Sequence, residues 1–297
     1  MNFAKRNYFL FFALIVFVLE AVLFSVGINK ENTKLKIEED KVKSVQIALD
    51  NTSVEAQAIS VYDKTKDKKI YGKNDTLSLP TASITKIMTV IIALNSHSEN
   101  DVISISPEAV KKEGDYGLFV NEKFKIEDLA KFSLIGSAND GAYAIAESTD
   151  NFIEKMNIKA KKLGMENTVF LNPTGLDIDD KIAGSYSTAS DVNIMVLYAL
   201  EAYRNVFSAS VMPEMELKSE SGFYHTIKNT DYILDKIPDI LFSKTGFTPL
   251  AGGNLVIIYK NEYGHEIAIT VLGSTMDGRF TDVEKIVSTL YNINYGE

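Results

Sequence analysis

Residues 80–89 read PTASITKIMT, a serine three positions before a lysine. At i and i+3 on a helix, two side chains stand one above the other with Cβ atoms about 5–6 Å apart. Ser83 Oγ and the Lys86 amine can therefore meet, in the relation of a nucleophile to its base. Two more stretches carry residues of the same kind. SLIGSAND presents Ser137 and Asn139 between helical segments, and LFSKTGFT presents Lys244, Thr245 and Gly246 on a strand. Each is weak alone: S-x-x-K arises by chance in a lysine-rich chain, and Lys-Thr-Gly is as easily a strand-end turn.

The composition narrows the chemistry. The 297 residues contain no cysteine, which excludes disulfides, thiolate metal sites and thiol nucleophiles. The three histidines, His97, His225 and His265, have no metal-ligand spacing, so no metal and no other cofactor is expected, and they read as surface or loop residues. No G-x-S-x-G elbow supports a Ser-His-Asp triad. A net charge of -9 makes nucleic acid a poor partner. An apolar share of 45% is enough for a packed core.

Several elements must position these residues. After Lys5 and Arg6, the stretch Tyr8 to Ile28 is apolar with Glu20 as its sole charge. It matches the roughly 20 residues that span a bilayer, and the flanking cations place the N-terminus inside and the rest outside. A retained transmembrane anchor is favoured over a cleaved signal, so residues 1–28 read as the membrane segment and 29–51 as a polar spacer. Residues 52–297 read as one catalytic domain. Ala56 to Tyr71 looks like a β-hairpin, and PTASITKIMTVIIALNS a helix with Pro80 in its first turn. KIEDLAKFSLIG and DGAYAIAESTDNFIEKMNIKAKKLG read as two helices of the middle region. Thr188 to Asp191 resembles a capping box for the next helix. The last third returns to strands and ends in a helix from about Thr281 to Tyr291. Strands, helices, strands, helix is the order of an α+β fold: an antiparallel sheet of about five strands flanked by helices, with a helical block inserted between its first and last strands.

Taken together, S-x-x-K, S-x-N and K-T-G in this order resemble the motif set of penicillin-binding proteins and serine β-lactamases. LNPTGLD, YSTASD, AGGNLV and LGSTMDGRF further resemble segments of the D-alanyl-D-alanine carboxypeptidase family, the low-molecular-mass penicillin-binding proteins. The likeness runs from about Ala56 to Tyr291. It departs at Phe242-Ser243, where a glycine is frequent in the family. It also lacks the C-terminal β-domain and amphipathic helix of many members, whose anchoring role the N-terminal segment is expected to take.

The resemblance implies a serine D,D-peptidase that forms an acyl-enzyme on peptidoglycan stem peptides and is inhibited by β-lactams. Ser83 is then the nucleophile and Lys86 its base. A lysine base must be neutral, which near pH 7 demands a depression of roughly three pKa units, about 4 kcal/mol. Lys244 and desolvation are the sources available. Ser137 would relay the proton toward the leaving amine, and Asn139 would hold the substrate backbone. The backbone N–H groups of Ser83 and Phe247 would form the oxyanion hole. Gly246 would let the substrate lie along the strand, and Thr245 and Arg279 would bind the terminal carboxylate of D-alanine.

Carboxypeptidase action is the leading reading, with D,D-endopeptidase action on cross-links its near rival. Glu166 precedes Leu171-Asn172 at the wrong spacing for the E-x-x-L-N of class A β-lactamases, so lactamase activity is not expected. A non-catalytic β-lactam or peptidoglycan sensor is the alternative of a different class.

Overall fold

The computed structural model describes residues 36–98, 100–114 and 116–296, together with positions 11, 12, 17, 24, 32 and 33. The expected anchor, Tyr8 to Ile28, lies outside these residues apart from four positions. Among the described residues no helix is long and apolar enough to cross a membrane.

The β-branched run AISVYD forms β1 (Ala58–Asp63) and turns back into β2 (Lys68–Lys73). Three long strands near the C-terminus complete the sheet: β3 (Ile240–Thr248), β4 (Gly252–Lys260) and β5 (Glu266–Ser274). The order is β3-β4-β5-β1-β2, antiparallel throughout. First and last strands therefore share one five-stranded sheet, as the sequence order predicts. Strand β3, which carries Lys-Thr-Gly, lies at one edge.

Alternation along the strands feeds two cores. Val256 and Ile258 of β4 face the helical block, whereas Leu255 and Ile257 face the opposite side. The block contains α2 (Lys86–Ser96), α3 (Ile126–Ile135), α4 (Asn139–Glu147), α5 (Phe152–Lys162) and α6 (Ala189–Ala202). On the far face, α7 (Gly278–Asn292) contributes Val283, Ile286 and Leu290. It is joined there by a helix the sequence did not reveal. Residues 36–50, expected within a spacer, form α1, whose Val42, Val45 and Leu49 are buried in the same core. Their i, i+3, i+7 spacing is a helical stripe hidden among charged neighbours.

Other differences have local causes. Asn139 to Lys162 is two helices, because Ser148 to Asn151 interrupts them and Asn151 takes a left-handed conformation, φ 55°. The Thr188 cap is present, its hydroxyl accepting the Asp191 N–H at 3.0 Å. A hairpin of Glu214–Lys218 and Tyr224–Lys228 was not foreseen. His225 within it is buried against Glu122, with Nε2 2.7 Å from Oε1, rather than exposed. His265 meets Asp63 at 2.7 Å. Both rings found carboxylates, and the apolar walls around His225 exclude water.

Candidate active site

Ser83, the candidate nucleophile, sits on a tighter turn than the sequence suggests. Ala82–Thr85 form a 3₁₀ turn, and the α-helical geometry of α2 starts at Lys86. Pro80 belongs to a two-residue strand instead of the helix. In a 3₁₀ turn, residues i and i+3 eclipse, and Lys86 Nζ lies 2.7 Å from Ser83 Oγ. Ala82 takes φ 49° in the left-handed region. Gly175 (φ +80°) packs against it so closely that a Cβ there would lie 1.9 Å from the Ala82 carbonyl oxygen. Below the turn, the hydroxyls of Thr81 and Thr85 meet Ser185 Oγ at 2.6 and 2.5 Å.

Lys86 is fully buried and its amine has two more partners, Asn139 Oδ1 at 2.6 Å and the Thr174 carbonyl oxygen at 2.8 Å. Asn139 was expected to hold the substrate backbone. Its carboxamide is engaged by Lys86 on one side, and on the other its Nδ2 donates to Glu113 O at 2.7 Å. Burial pushes the Lys86 amine well below the ordinary lysine value, the Lys244 charge adds to the depression, and buried Asp140 opposes it.

The facing wall is the edge strand. Lys244 Nζ donates to Ser137 Oγ at 2.9 Å and to the Thr245 carbonyl at 2.9 Å. Ser137, in the loop between α3 and α4, is held at φ 58°. Burial first, and the Arg279 guanidinium second, pull Lys244 down to about 7, with Asp231 acting against them. Arg279 is buried, and its Nη1 donates to the Gly246 carbonyl at 2.7 Å while Nε has no partner among the described residues. Arg279 is thus not a solvated surface residue. Gly246 brings β3 against the nucleophile turn, since a Cβ would lie 2.8 Å from Thr81 O and 3.2 Å from the Ser83 nitrogen. Phe247 is 42% exposed and lines a cleft of about 680 Å³ with Asn139, Leu176, Asp177 and Thr248.

Ser83, Lys86 and Asn139 thus form one hydrogen-bonded group and Ser137 and Lys244 a second, with Thr245, Gly246, Phe247 and Arg279 along the strand wall. Sequence reasoning missed what stands behind them. Thr230 Oγ1 lies 2.5 Å from Thr245 Oγ1, and Ser243 Oγ donates to the buried Asp231 carboxylate. The turn carrying Thr230 and Asp231 had no motif to draw attention. Thr174 acts through its main-chain carbonyl, for which no side-chain signal exists.

Comparison with known proteins finds relatives in sequence and in fold. The chain is 30% identical over 249 residues to the D-alanyl-D-alanine carboxypeptidase DacF of Bacillus subtilis, covering 80% of this chain and 62% of that protein. It is 32% identical over 208 residues to a D-alanyl-D-alanine endopeptidase of Pseudomonas aeruginosa, 66% of this chain and 64% of the other. It therefore spans less than two thirds of the length of these relatives. Among solved structures, penicillin-binding protein D2 of Listeria monocytogenes in its cefotaxime-bound form superposes with a TM-score of 0.70 at 26% identity, covering 81% of this chain and 98% of that one. The Streptomyces K15 DD-transpeptidase shares the fold, with a TM-score of 0.72 at 24% identity and coverages of 81% and 98%. The D-alanyl-D-alanine carboxypeptidase family matches residues 42–275, and the chain belongs to that family.

Proposed function

We propose that the protein is a serine D-Ala-D-Ala carboxypeptidase that acts on peptidoglycan stem peptides through an acyl-enzyme. The observation that carries this reading is the buried Lys86 amine, 2.7 Å from Ser83 Oγ and held well below its ordinary pKa. Neutral Lys86 takes the Ser83 hydroxyl proton as Oγ bonds to the carbonyl carbon of the penultimate D-alanine. The oxyanion so formed is bound by the N–H groups of Ser83 and Phe247. The proton then reaches the leaving amine by way of Ser137, the C–N bond breaks, and D-alanine departs. Water cleaves the remaining ester and regenerates Ser83. Arg279, with its free Nε, and Thr245 provide donors for the departing residue's carboxylate. A β-lactam enters the same sequence and leaves an acyl adduct on Ser83.

The test is intact-mass analysis after exposure to penicillin. One adduct is expected, and Ser83→Ala should remove it. An adduct that survives the substitution refutes the mechanism. D,D-endopeptidase action on cross-links is the second reading, favoured by the endopeptidase name of relatives at 32% identity. Release of free D-alanine against conversion of cross-linked dimers to uncross-linked monomers in purified peptidoglycan separates the two. We place the catalytic domain outside the cell, held at the membrane by Tyr8 to Ile28, a reading supported by that segment's apolar length and flanking cations. Resistance of the full chain to salt extraction from membranes tests it, and recovery of a soluble form beginning near Ile28 would replace anchor by cleaved signal.

A further inference from the structure

The loop that presents the Thr174 carbonyl is folded by a single side chain. Asn172 Oδ1 accepts from Thr174 N at 3.1 Å, Thr174 Oγ1 at 3.1 Å and Gly175 N at 2.7 Å. Its Nδ2 donates to Leu176 O at 2.8 Å. Every hydrogen bond of this carboxamide thus stays within the loop. The loop in turn is pressed on the nucleophile helix at three points. Thr89 Oγ1 donates to Pro173 O at 2.6 Å, Lys86 Nζ reaches Thr174 O, and Gly175 lies against Ala82 O.

The consequence lies in the direction of a lone pair. A neutral lysine amine has two N–H bonds and one lone pair. Of the three atoms around Lys86 Nζ, the Thr174 carbonyl oxygen can only accept. Asn139 Oδ1 can only accept as well, its orientation fixed by the Nδ2 bond to Glu113 O. These two atoms take both protons, and the lone pair is left facing Ser83 Oγ. Were either acceptor displaced, an N–H would turn toward the serine and the base would be misaimed.

We propose that Asn172 is a positioning residue for the general base: by folding residues 172–176 it fixes the Thr174 carbonyl, which aims the Lys86 lone pair at Ser83. This rests on the reading of Lys86 as base. Asn172 touches neither substrate nor the reacting atoms, and acts wholly through the Thr174 carbonyl. A misplacement of about 1 Å at such a site can cost on the order of 10²-fold in rate.

The experiment measures the rate constant of Ser83 acylation by a chromogenic penicillin, per acylatable molecule, across the neutral pH range. Asn172→Ala should lower that constant by roughly tenfold or more at every pH. Asn172→Asp keeps an acceptor oxygen for three of the four loop bonds and therefore holds the fold. Its new negative charge favours the Lys86 ammonium, so the acid limb of the profile should move to higher pH and the rate should recover in alkali. Asn157→Ala is the control, since that carboxamide also bridges backbone, donating to Phe170 O at 2.8 Å and accepting from Phe170 N at 2.9 Å, without contacting Lys86 or its partners. It should lower the melting temperature and leave both rate constant and limb in place. If the Asn172 variants lose only acylatable fraction or melting temperature, with rate constant and limb unchanged, the proposal is overturned. If the wild-type protein is itself not acylated, the reading of Ser83 and Lys86 fails before Asn172 is in question.

Discussion

Removing α1 should unfold or nearly unfold the catalytic domain, although its sequence looks like a tether. Val42, Val45 and Leu49 are 8%, 0% and 3% exposed and pack with β1, β4, β5 and α7. Burying a Val or Leu side chain is worth about 1.5–3 kcal/mol, so the three together contribute roughly 5–9 kcal/mol as an upper estimate. The domain's whole stability is expected to be about 5–15 kcal/mol. Polar ties add modestly: Lys41 Nζ donates to Asn294 O at 3.0 Å, and Tyr71 OH to Asp50 Oδ1 at 3.0 Å. Two fragments, one starting at Lys36 and one at Val54, should be compared by urea unfolding and by penicillin acylation. The longer one should unfold cooperatively and acylate. The shorter should show a midpoint displaced by several kcal/mol equivalent, or no cooperative transition. Equal unfolding free energies within about 1 kcal/mol, the scatter of ordinary surface changes, would refute the assignment of α1 to the core. The outcome also fixes the reach of the enzyme. With α1 folded, seven residues between Ile28 and Lys36 can span at most about 25 Å, so the domain stays near the surface that Tyr8 to Ile28 is proposed to enter.

Lys86→Met should lower acylation by about 10²–10⁴-fold, the usual worth of general-base catalysis, while the near-ultraviolet circular dichroism stays native; a fall below tenfold would remove Lys86 from that role. In the wild type, acylation should rise with pH through the depressed pKa of Lys86, because the protonated amine cannot accept the serine proton. Lys244→Gln removes one cause of that depression, so the acid limb should move to higher pH, and a limb that stays put would place the source of the shift in burial alone. Asp231→Asn removes the carboxylate that opposes Lys244's depression, so Lys244 should lose its charge below about 7; titration of that amine by NMR checks the direction. Gly175→Ala should strain the left-handed backbone by about 1–2 kcal/mol and drive a methyl into the Ala82 carbonyl, lowering acylation more than stability if the Ser83 turn yields first.

The candidate site residues were legible because short spacings and the ordered motif set carry them. The i, i+3 spacing allows Ser83 and Lys86 to meet, and they do, even though the turn is 3₁₀ and not α-helical. The sheet order was legible because β1 and β3 to β5 are β-branched runs bounded by turns. What the sequence did not reveal has a common cause. Asn139, expected to hold the substrate backbone, also meets the buried Lys86 amine, a contact that only the fold brings about. His225 was read as exposed because the aromatic rings of Phe124 and Phe132 that surround it are remote in sequence. The stripe of α1 was hidden because lysine and glutamate fill the positions between its apolar residues. Backbone groups such as the Thr174 carbonyl are common to every residue type and leave no mark in sequence.

Lys86 and Lys244 come from opposite sides of a seam, one on α2 in the helical block and the other on the edge strand β3. Lys86 meets two amide oxygens and a hydroxyl, Lys244 meets a hydroxyl and a carbonyl, and none of these partners is a carboxylate. That choice of neutral acceptors matters, because a carboxylate in contact would hold the ammonium form and abolish the base. The charges that do lie near, Asp140 and Asp231, act from a distance and oppose without cancelling the effect of burial. Burial is therefore the larger source of the Lys86 depression, and it exists only while the seam is closed. Water admitted between β3 and α2 would resolvate the amine and favour its protonation before any covalent contact or helix was lost. The core that packs Phe242 with Ile84 and Ile87, and the close approach of Gly246 to the Ser83 turn, press this seam shut. In this fold the packing that stabilises the domain and the depressed Lys86 pKa on which the proposed mechanism relies are one physical effect.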